Sequence, residues 1–202
     1  MIPATVGLIV LRVPILNVLF ERGEFTPDAT AATARALLCY SLGLVAFTGV
    51  QVVVPAFYSR QDTRTPLEIA AVAMSLNVFL NMILMVPLQH AGLALATSIS
   101  SAVNLALLLY VCRQRLGPLG GARILRAALQ FAIAGACMGA GCGLVARYAF
   151  RIESSLTVRA SGLALCILVG CATYLIIAHV MKTEELRYLL AVLRERVARG
   201  RR

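Results

Sequence analysis

The sequence predicts an all-α integral membrane protein of about six transmembrane helices followed by a C-terminal amphipathic helix. Hydrophobic residues make up 60% of the 202 positions and charged residues only 14%, whereas about a quarter of a soluble domain is charged. The apolar residues fall into blocks of bilayer length, since about 20 helical residues cross a ~30 Å hydrocarbon core. Backbone groups in lipid must bond within their own segment, so each block is predicted to be a helix.

Six apolar blocks are separated by polar or charged connectors. They span residues 1–20, 36–57, 67–88, 93–112, 124–146 and 160–181. The connector at residues 89–92 is short, so the third and fourth helices are predicted to be antiparallel neighbours. The fifth and sixth blocks carry small residues four apart: Gly135, Gly139 and Gly143, then Gly162, Cys166 and Gly170. Such faces permit close contact, so we expect these two helices to pack together.

The basic residues predict the orientation in the membrane. The second and fourth connectors with their flanks, together with the tail, carry 13 Lys and Arg, whereas the first, third and fifth connectors carry 5. The positive-inside rule then places both termini in the cytoplasm and residues 21–35 outside. A net charge of +10 therefore suits anionic membrane lipids, and no nucleic-acid partner is expected.

A glycine- and proline-containing connector and a later change to an amphipathic pattern divide the chain into three parts. Gly117, Pro118 and Gly120 interrupt helix in the fourth connector. Residues 1–115 are predicted to form a four-helix unit, residues 116–182 a terminal helix pair, and residues 183–202 a basic amphipathic tail. In the tail Leu186, Leu189, Leu190, Leu193 and Val197 recur at helical spacing. A solvated, partly frayed tail remains the alternative.

The residues of the chain do not suggest an enzyme. There is no pairing of a nucleophile with a base, no carboxylate pair and no phosphate-binding loop. The six cysteines lie in or at the ends of apolar blocks without metal-ligand spacing. We interpret them as small packing residues.

Arg12 lies well inside the first apolar block. A basic residue facing lipid at mid-membrane costs roughly 2.5 kcal/mol or more. Two interpretations stay open: Arg12 faces a watery cavity or an anionic partner, or the true helix starts earlier and Arg12 extends to the interface.

Asn77 and Asn81 lie one helical turn apart in the third block, and Thr97 follows early in the fourth beside Ser98, Ser100 and Ser101. Because the two helices are predicted neighbours, these oxygens can converge on one point. Oxygen ligands suit a hard cation. Interhelical hydrogen bonding, which is common for Asn and Ser in helical bundles, is the interpretation that the spacing alone favours.

Four strings follow one another along the chain: LFERGEFTPDAT, ALLCYSLGLVAF, PAFYSRQDTRTP and HAGLALATSIS followed by Asn104. In this order and spacing they resemble successive signatures of the MurJ/MviN family of lipid II flippases, within the multidrug/oligosaccharidyl-lipid/polysaccharide exporter superfamily. The most specific is PAFYSRQDTRTP, which contains Phe57, Tyr58, Arg60, Asp62, Arg64 and Pro66. The similarity covers residues 1–115 well, while the last two helices agree only in type and position.

The resemblance implies the last six helices of a fourteen-helix transporter of the bacterial inner membrane. The missing N-terminal lobe would be its partner, lipid II or a related polyprenyl-pyrophosphate saccharide its substrate, and the chain a fragment that is inactive alone. The terminal helix pair would form a groove for the lipid tail.

Some family members bind sodium, and Asn77, Asn81, Thr97 and the Leu93 carbonyl fall at matching positions. Asn81 stands where some relatives have an acid, and a further acid lies outside this chain, so any sodium site here would be incomplete. No other cofactor is expected.

Two alternative functions remain open. One is a flippase for another polyprenyl-linked saccharide, and the other is a noncatalytic membrane scaffold that binds partner proteins through its basic tail.

Overall fold

The computed structural model describes residues 1–20, 26–116, 121–149 and 156–180, and these residues form six α-helices. The helices are α1 (Ile2–Leu19), α2 (Pro27–Tyr58), α3 (Arg64–Leu88), α4 (His90–Leu116), α5 (Gly121–Ala149) and α6 (Leu156–Val180). Each contains a stretch that is long and apolar enough to cross a membrane. The predicted all-α, multi-pass membrane fold is therefore confirmed, while the predicted amphipathic tail lies outside the described residues.

The second helix begins nine residues earlier than its apolar block. Thr26 caps it, because its side chain accepts a hydrogen bond from the Ala29 N–H at 3.3 Å, and Pro27 suits the first helical position. With 32 residues, α2 is about 48 Å long at 1.5 Å per residue. It therefore extends beyond a ~30 Å hydrocarbon core at the end that carries Arg35.

The helices form two groups that share α1. In one group, α4 packs between α2 and α3. In the other, α1 packs against α5 and α6 as well as against α2. Leu11 of α1 shares a buried cluster with Met138 and Cys142 of α5 and with Cys166 of α6. The division into residues 1–115 and 116–182 stays a prediction, but the first helix contacts both parts.

Close packing of α5 on α6 is confirmed, although only one of the two small-residue faces produces it. A Cβ on Gly170 of α6 would lie 2.7 Å from the Cys142 sulfur, so this face does meet α5. Gly139 instead faces α1, where a Cβ would lie 2.7 Å from the Val6 side chain. The residues of α5 that contact α6 are Met138 and Cys142, one position before and three positions after Gly139. Because successive helical positions turn by about 100°, Met138 and Cys142 lie on a different face of α5 from the glycines.

The six cysteines are free thiols, and three of them pack in the interior. Cys112, Cys142 and Cys166 are buried, in agreement with the sequence interpretation, and Cys39 is half-buried. Cys137 and Cys171 are exposed on the helical bundle. The packing interpretation is therefore wrong for these two, because small apolar residues are also tolerated on the surface of a membrane helix.

Candidate functional site

A tight turn brings the polar residues of α3 and α4 together. Gln89 occupies the left-handed region at φ 49°, which is an uncommon conformation for a residue other than glycine. Its N–H bonds to the Met85 carbonyl at 2.9 Å, and the Gly92 N–H bonds to the Gln89 carbonyl at 3.0 Å. The chain reverses within a few residues, which confirms that α3 and α4 are antiparallel neighbours.

Asn77 is the centre of the polar network between these helices. Its amide nitrogen donates to the Ser100 hydroxyl at 3.1 Å and to the Thr97 hydroxyl at 3.4 Å. Its carbonyl oxygen accepts a hydrogen bond from the Asn81 amide at 3.0 Å. Two predicted α3 residues and the predicted α4 hydroxyl therefore lie in one hydrogen-bonded cluster.

The Leu93 carbonyl belongs to the same cluster. It accepts a hydrogen bond from the Thr97 hydroxyl at 2.9 Å, while the Thr97 hydroxyl accepts from Asn77. The structure thus brings Asn77, Asn81, Leu93 and Thr97 together. Cation binding by the four stays a prediction, because hydrogen bonding between helices also uses these atoms.

Two buried amide oxygens of α3 and α4, one of them in this cluster, have no hydrogen-bond partner among the described residues. The side-chain oxygens of Asn81 and Asn104 are buried and make no hydrogen bond within the described part of the chain. Buried polar atoms are normally satisfied, because leaving one unpaired costs free energy. A cation would satisfy the Asn81 oxygen, and amide, hydroxyl and carbonyl oxygens are the ligands of hard cations. These ligand oxygens carry no charge, so they fit a monovalent cation better than a cation of higher charge.

Ser100 was among the hydroxyls expected to converge, and the hydrogen bond from Asn77 places it in the cluster. Asn104 was not among them, although its position seven residues after Thr97 puts it on the same face of α4. Ser98 was expected to join the convergence but does not: its hydroxyl donates to the Cys39 carbonyl of α2 at 2.5 Å. Ser101 lines an apolar cavity against α1 and α2. Adjacent positions point to different helices because each step turns by about 100°.

Arg12 lies half-buried in the middle of α1. Its guanidinium donates to the carbonyl of Ile9, one turn earlier on the same helix, at 2.5 Å. Among the residues that the structure describes, no carboxylate pairs with it. Both interpretations of Arg12 stay open.

The turn between α2 and α3 holds the family motif and is built around Asp62. This carboxylate accepts hydrogen bonds from the Thr65 N–H at 3.0 Å and the Thr65 hydroxyl at 2.8 Å, which caps α3. It also forms an ion pair with Arg115 at the end of α4. The two Thr65 hydrogen bonds, with a smaller contribution from Arg115, hold the Asp62 pKa below its ordinary value. Asp62 therefore connects α3 to the end of α4.

The remaining motif residues divide between the core and the surface. Phe57 is 3% exposed in a cluster with Ile69, Leu108 and Cys112, and Pro66 is buried in the first turn of α3. The remaining members, Tyr58, Arg60 and Arg64, are exposed. Arg64 pairs with Glu68 at 2.7 Å, a solvent-exposed pair of the kind that contributes little stability. The contacts give Phe57, Asp62 and Pro66 a structural role.

An apolar groove opens between α1, α5 and α6. Its volume is about 360 Å³, and its walls include Gly7 and Leu11 of α1, Met138 of α5, and Gly170 and Tyr174 of α6. Ligand pockets typically measure about 300–1,000 Å³. The groove is thus large enough for part of an apolar chain. The sequence predicted a groove formed by the terminal helix pair alone, whereas α1 supplies one of its walls.

Comparison with known proteins identifies what this arrangement resembles. The family model described as "Lipid II flippase MurJ" matches residues 1–183. A probable lipid II flippase MurJ from Rhizobium meliloti is 35% identical over 173 residues, which is 85% of this chain and 32% of that protein. Another from Rickettsia prowazekii is 45% identical over 107 residues, covering 53% of this chain and 21% of that protein.

A solved structure has the same fold. It is described as lipid II flippase MurJ in an inward closed conformation, and it matches with a TM-score of 0.72 and 26% identity. The match covers 89% of this chain and 35% of the other. The chain therefore spans about a third or less of the length of the relatives it matches.

Proposed function

Because the chain belongs to the lipid II flippase MurJ family, we propose that it forms the C-terminal six helices of a transporter for lipid II. The substrate would be the undecaprenyl-linked precursor of peptidoglycan, moved across the bacterial inner membrane for cell-wall synthesis. Transport would proceed by alternating access, in which one lobe rocks against another around the substrate. The partner lobe would come from the part of the relatives that this chain does not match.

The apolar groove between α1, α5 and α6 is the observation that carries this proposal. Its walls belong to helices of membrane-spanning length, so an occupant must itself be soluble in the hydrocarbon core. A polyprenyl tail is such an occupant. Gly7 keeps the groove open on the α1 side, since it places no side chain in the space.

The Asn77 cluster is proposed to contribute to a sodium site. Asn77, Asn81, Thr97 and the Leu93 carbonyl would hold the ion, and the unpaired Asn81 oxygen supports the assignment. A bound cation would stabilise whichever packing of α3 on α4 brings the oxygens together. The charge distribution supports cytoplasmic termini, with the Asp62 turn inside and the Gln89 turn outside.

Sodium binding is testable without transport. We expect this chain, once joined to the unmatched N-terminal part of the Rhizobium meliloti relative so that the rest of the site is present, to melt at a higher temperature in sodium chloride than in choline chloride of equal ionic strength, because a ligand that binds only the folded state stabilises it. Asn77→Leu should abolish the difference. Ser75→Ala is the matched control, since the exposed Ser75 hydroxyl bonds only within α3, to Ala71 at 3.0 Å. Equal melting in both salts would contradict the sodium proposal and leave the lipid proposal intact.

Transport is tested by a chimera. The unmatched N-terminal part of the Rhizobium meliloti relative would be joined to this chain and produced in cells depleted of their own flippase. We expect the chimera to restore growth and lipid II translocation, and the 202-residue chain alone to fail. A chimera that accumulates in the membrane without restoring translocation would contradict the proposal, and rescue by the chain alone would contradict the need for a partner lobe.

The groove is tested within the same chimera. Gly7→Leu should reduce translocation, because the added side chain enters the groove; a Cβ at Gly7 itself meets only the Met138 methyl at 3.7 Å. Gly141→Leu adds the same side chain outside the groove, with its Cβ 3.8 Å from the Thr173 hydroxyl, and should leave translocation unchanged. Equal rates for the two variants would exclude the groove as the tail site.

A further inference from the structure

A polar cavity lies at the end of the bundle opposite the Asp62 turn. Its volume is about 270 Å³, and it is enclosed between the first part of α2, at Ala32 and Arg35, and the turn between α3 and α4, at Gln89 and His90. The groove between α1, α5 and α6 is walled almost entirely by apolar groups. This second cavity instead combines a guanidinium, an amide and an imidazole, and nothing in the proposed transport function uses it.

The cavity lies at the level of the lipid headgroups. The apolar part of α2 spans residues 36–57, about 33 Å at 1.5 Å per residue, so Arg35 stands where the hydrocarbon core ends. The turn at Gln89 is likewise the end of the apolar part of α3. Both walls therefore meet the membrane surface at one level, on the side that carries the fewer basic residues.

Arg35 is available to a ligand. Within the described residues it forms no ion pair or hydrogen bond. Asp28 on the same helix lies seven residues earlier, about 10 Å along the axis at 1.5 Å per residue. A guanidinium presents a planar set of donors that matches a phosphate group with two parallel hydrogen bonds. His90 adds a second nitrogen-bearing side chain across the cavity.

The left-handed backbone of Gln89 fixes the second wall. At φ 49°, with its N–H bonded to Met85 and its carbonyl to Gly92, the turn has little freedom to move His90 away from α2. A preformed cavity with a cationic wall at the level of the lipid headgroups is suited to the phosphate group of a lipid.

We propose that the cavity formed by Arg35, Gln89 and His90 binds a phosphate group, either that of a lipid headgroup in the adjacent leaflet or free phosphate. The site is separate from the tail groove and from the Asn77 cluster. Only its assignment to the outer leaflet depends on the proposed orientation.

Binding to the purified full chain in an uncharged detergent tests the proposal. The probes are short-chain phosphatidylglycerol, the matching diacylglycerol without phosphate, and inorganic phosphate, measured by calorimetric titration. Arg35→Gln should weaken phosphatidylglycerol binding by about tenfold, as expected for loss of a charge-assisted pair, and Arg35→Lys should weaken it less. Arg113→Gln is the matched control, because it removes the same charge from an exposed arginine at the end of α4 that lies away from the cavity.

The outcomes separate the sources and the alternatives. If phosphatidylglycerol binds more tightly than inorganic phosphate and this binding depends on Arg35, the site is assigned to a lipid headgroup. If both bind equally and both depend on Arg35, the site is assigned to the free anion. Equal losses in Arg35→Gln and Arg113→Gln, or diacylglycerol binding as tightly as phosphatidylglycerol, would overturn the proposal. Arg35 is exposed, so its variants should fold, and their melting curves verify this. Failure here would leave the transport proposal untouched.

Discussion

The contact between α2 and α4 depends on the absence of a side chain at Gly43. A Cβ at this position would lie 2.7 Å from the Ser98 Cα and 2.8 Å from its Cβ. The Ser98 hydroxyl oxygen would be nearer still, at 2.5 Å, but the Cα is backbone and cannot rotate away as that hydroxyl could. We therefore predict that Gly43→Ala destabilises the protein by forcing the two helices apart.

The structure sets the size of this effect. Ordinary carbon contacts begin near 3.4 Å, so α2 and α4 must separate by about 0.7 Å. The shift also stretches the Ser98 hydrogen bond to the Cys39 carbonyl, now 2.5 Å. Overpacking of this kind costs about 1–3 kcal/mol. Gly141→Ala is the matched control, because its nearest neighbour, the Thr173 hydroxyl, lies at an unstrained 3.8 Å.

Buried thiols provide the assay, since the chain contains no tryptophan. A dye that becomes fluorescent on reaction with cysteine reports unfolding in detergent when Cys112, Cys142 and Cys166 become accessible. Gly43→Ala should melt below the wild type, and Gly141→Ala at or above it, because alanine favours helix over glycine. If the two variants melted together, the close contact between α2 and α4 would not exist as described.

Two further predictions also concern thermal stability; the thiol dye reports the first, and circular dichroism reports the second, because thiols are protonated and unreactive at acid pH. Gln89→Gly should stabilise the chain by about 1 kcal/mol, because glycine adopts a positive φ without strain; a lower melting temperature would contradict the turn geometry. The pKa of Asp62 in the folded chain lies below its ordinary value. The ionised carboxylate therefore contributes its full share to the stability of the fold above about pH 4, and this share is lost as the pH falls through the folded pKa. The wild type should therefore lose more stability on acidification than Asp62→Asn. Glu68→Gln is the control and should behave like the wild type, because the exposed Glu68 pair caps no helix. Equal acid sensitivity of all three proteins would refute the stabilising role of the Asp62 carboxylate.

Much of the candidate site could be predicted from the sequence because a short turn leaves little choice. Once residues 89–92 reverse the chain, Asn77 and Thr97 must lie on neighbouring helices at similar depth. The direction of each hydroxyl required the structure: Thr97 and Ser100 face α3, whereas Ser98 faces α2. A serine is compatible with either face, because its hydroxyl can bond to any nearby backbone carbonyl.

Composition and the spacing of the apolar blocks were enough to predict the fold class, the number of spans and the approximate position of each. Hydrocarbon excludes unpaired backbone groups, so runs of apolar residues admit only helices there. Tertiary structure alone decided which helices meet beyond the short turn: α4 lies between α2 and α3, and the Gly139 face meets α1 instead of α6. The physical reason is that lipid is as apolar as a neighbouring helix. Hydrophobicity therefore marks a residue as within the membrane without saying whether it faces lipid or protein.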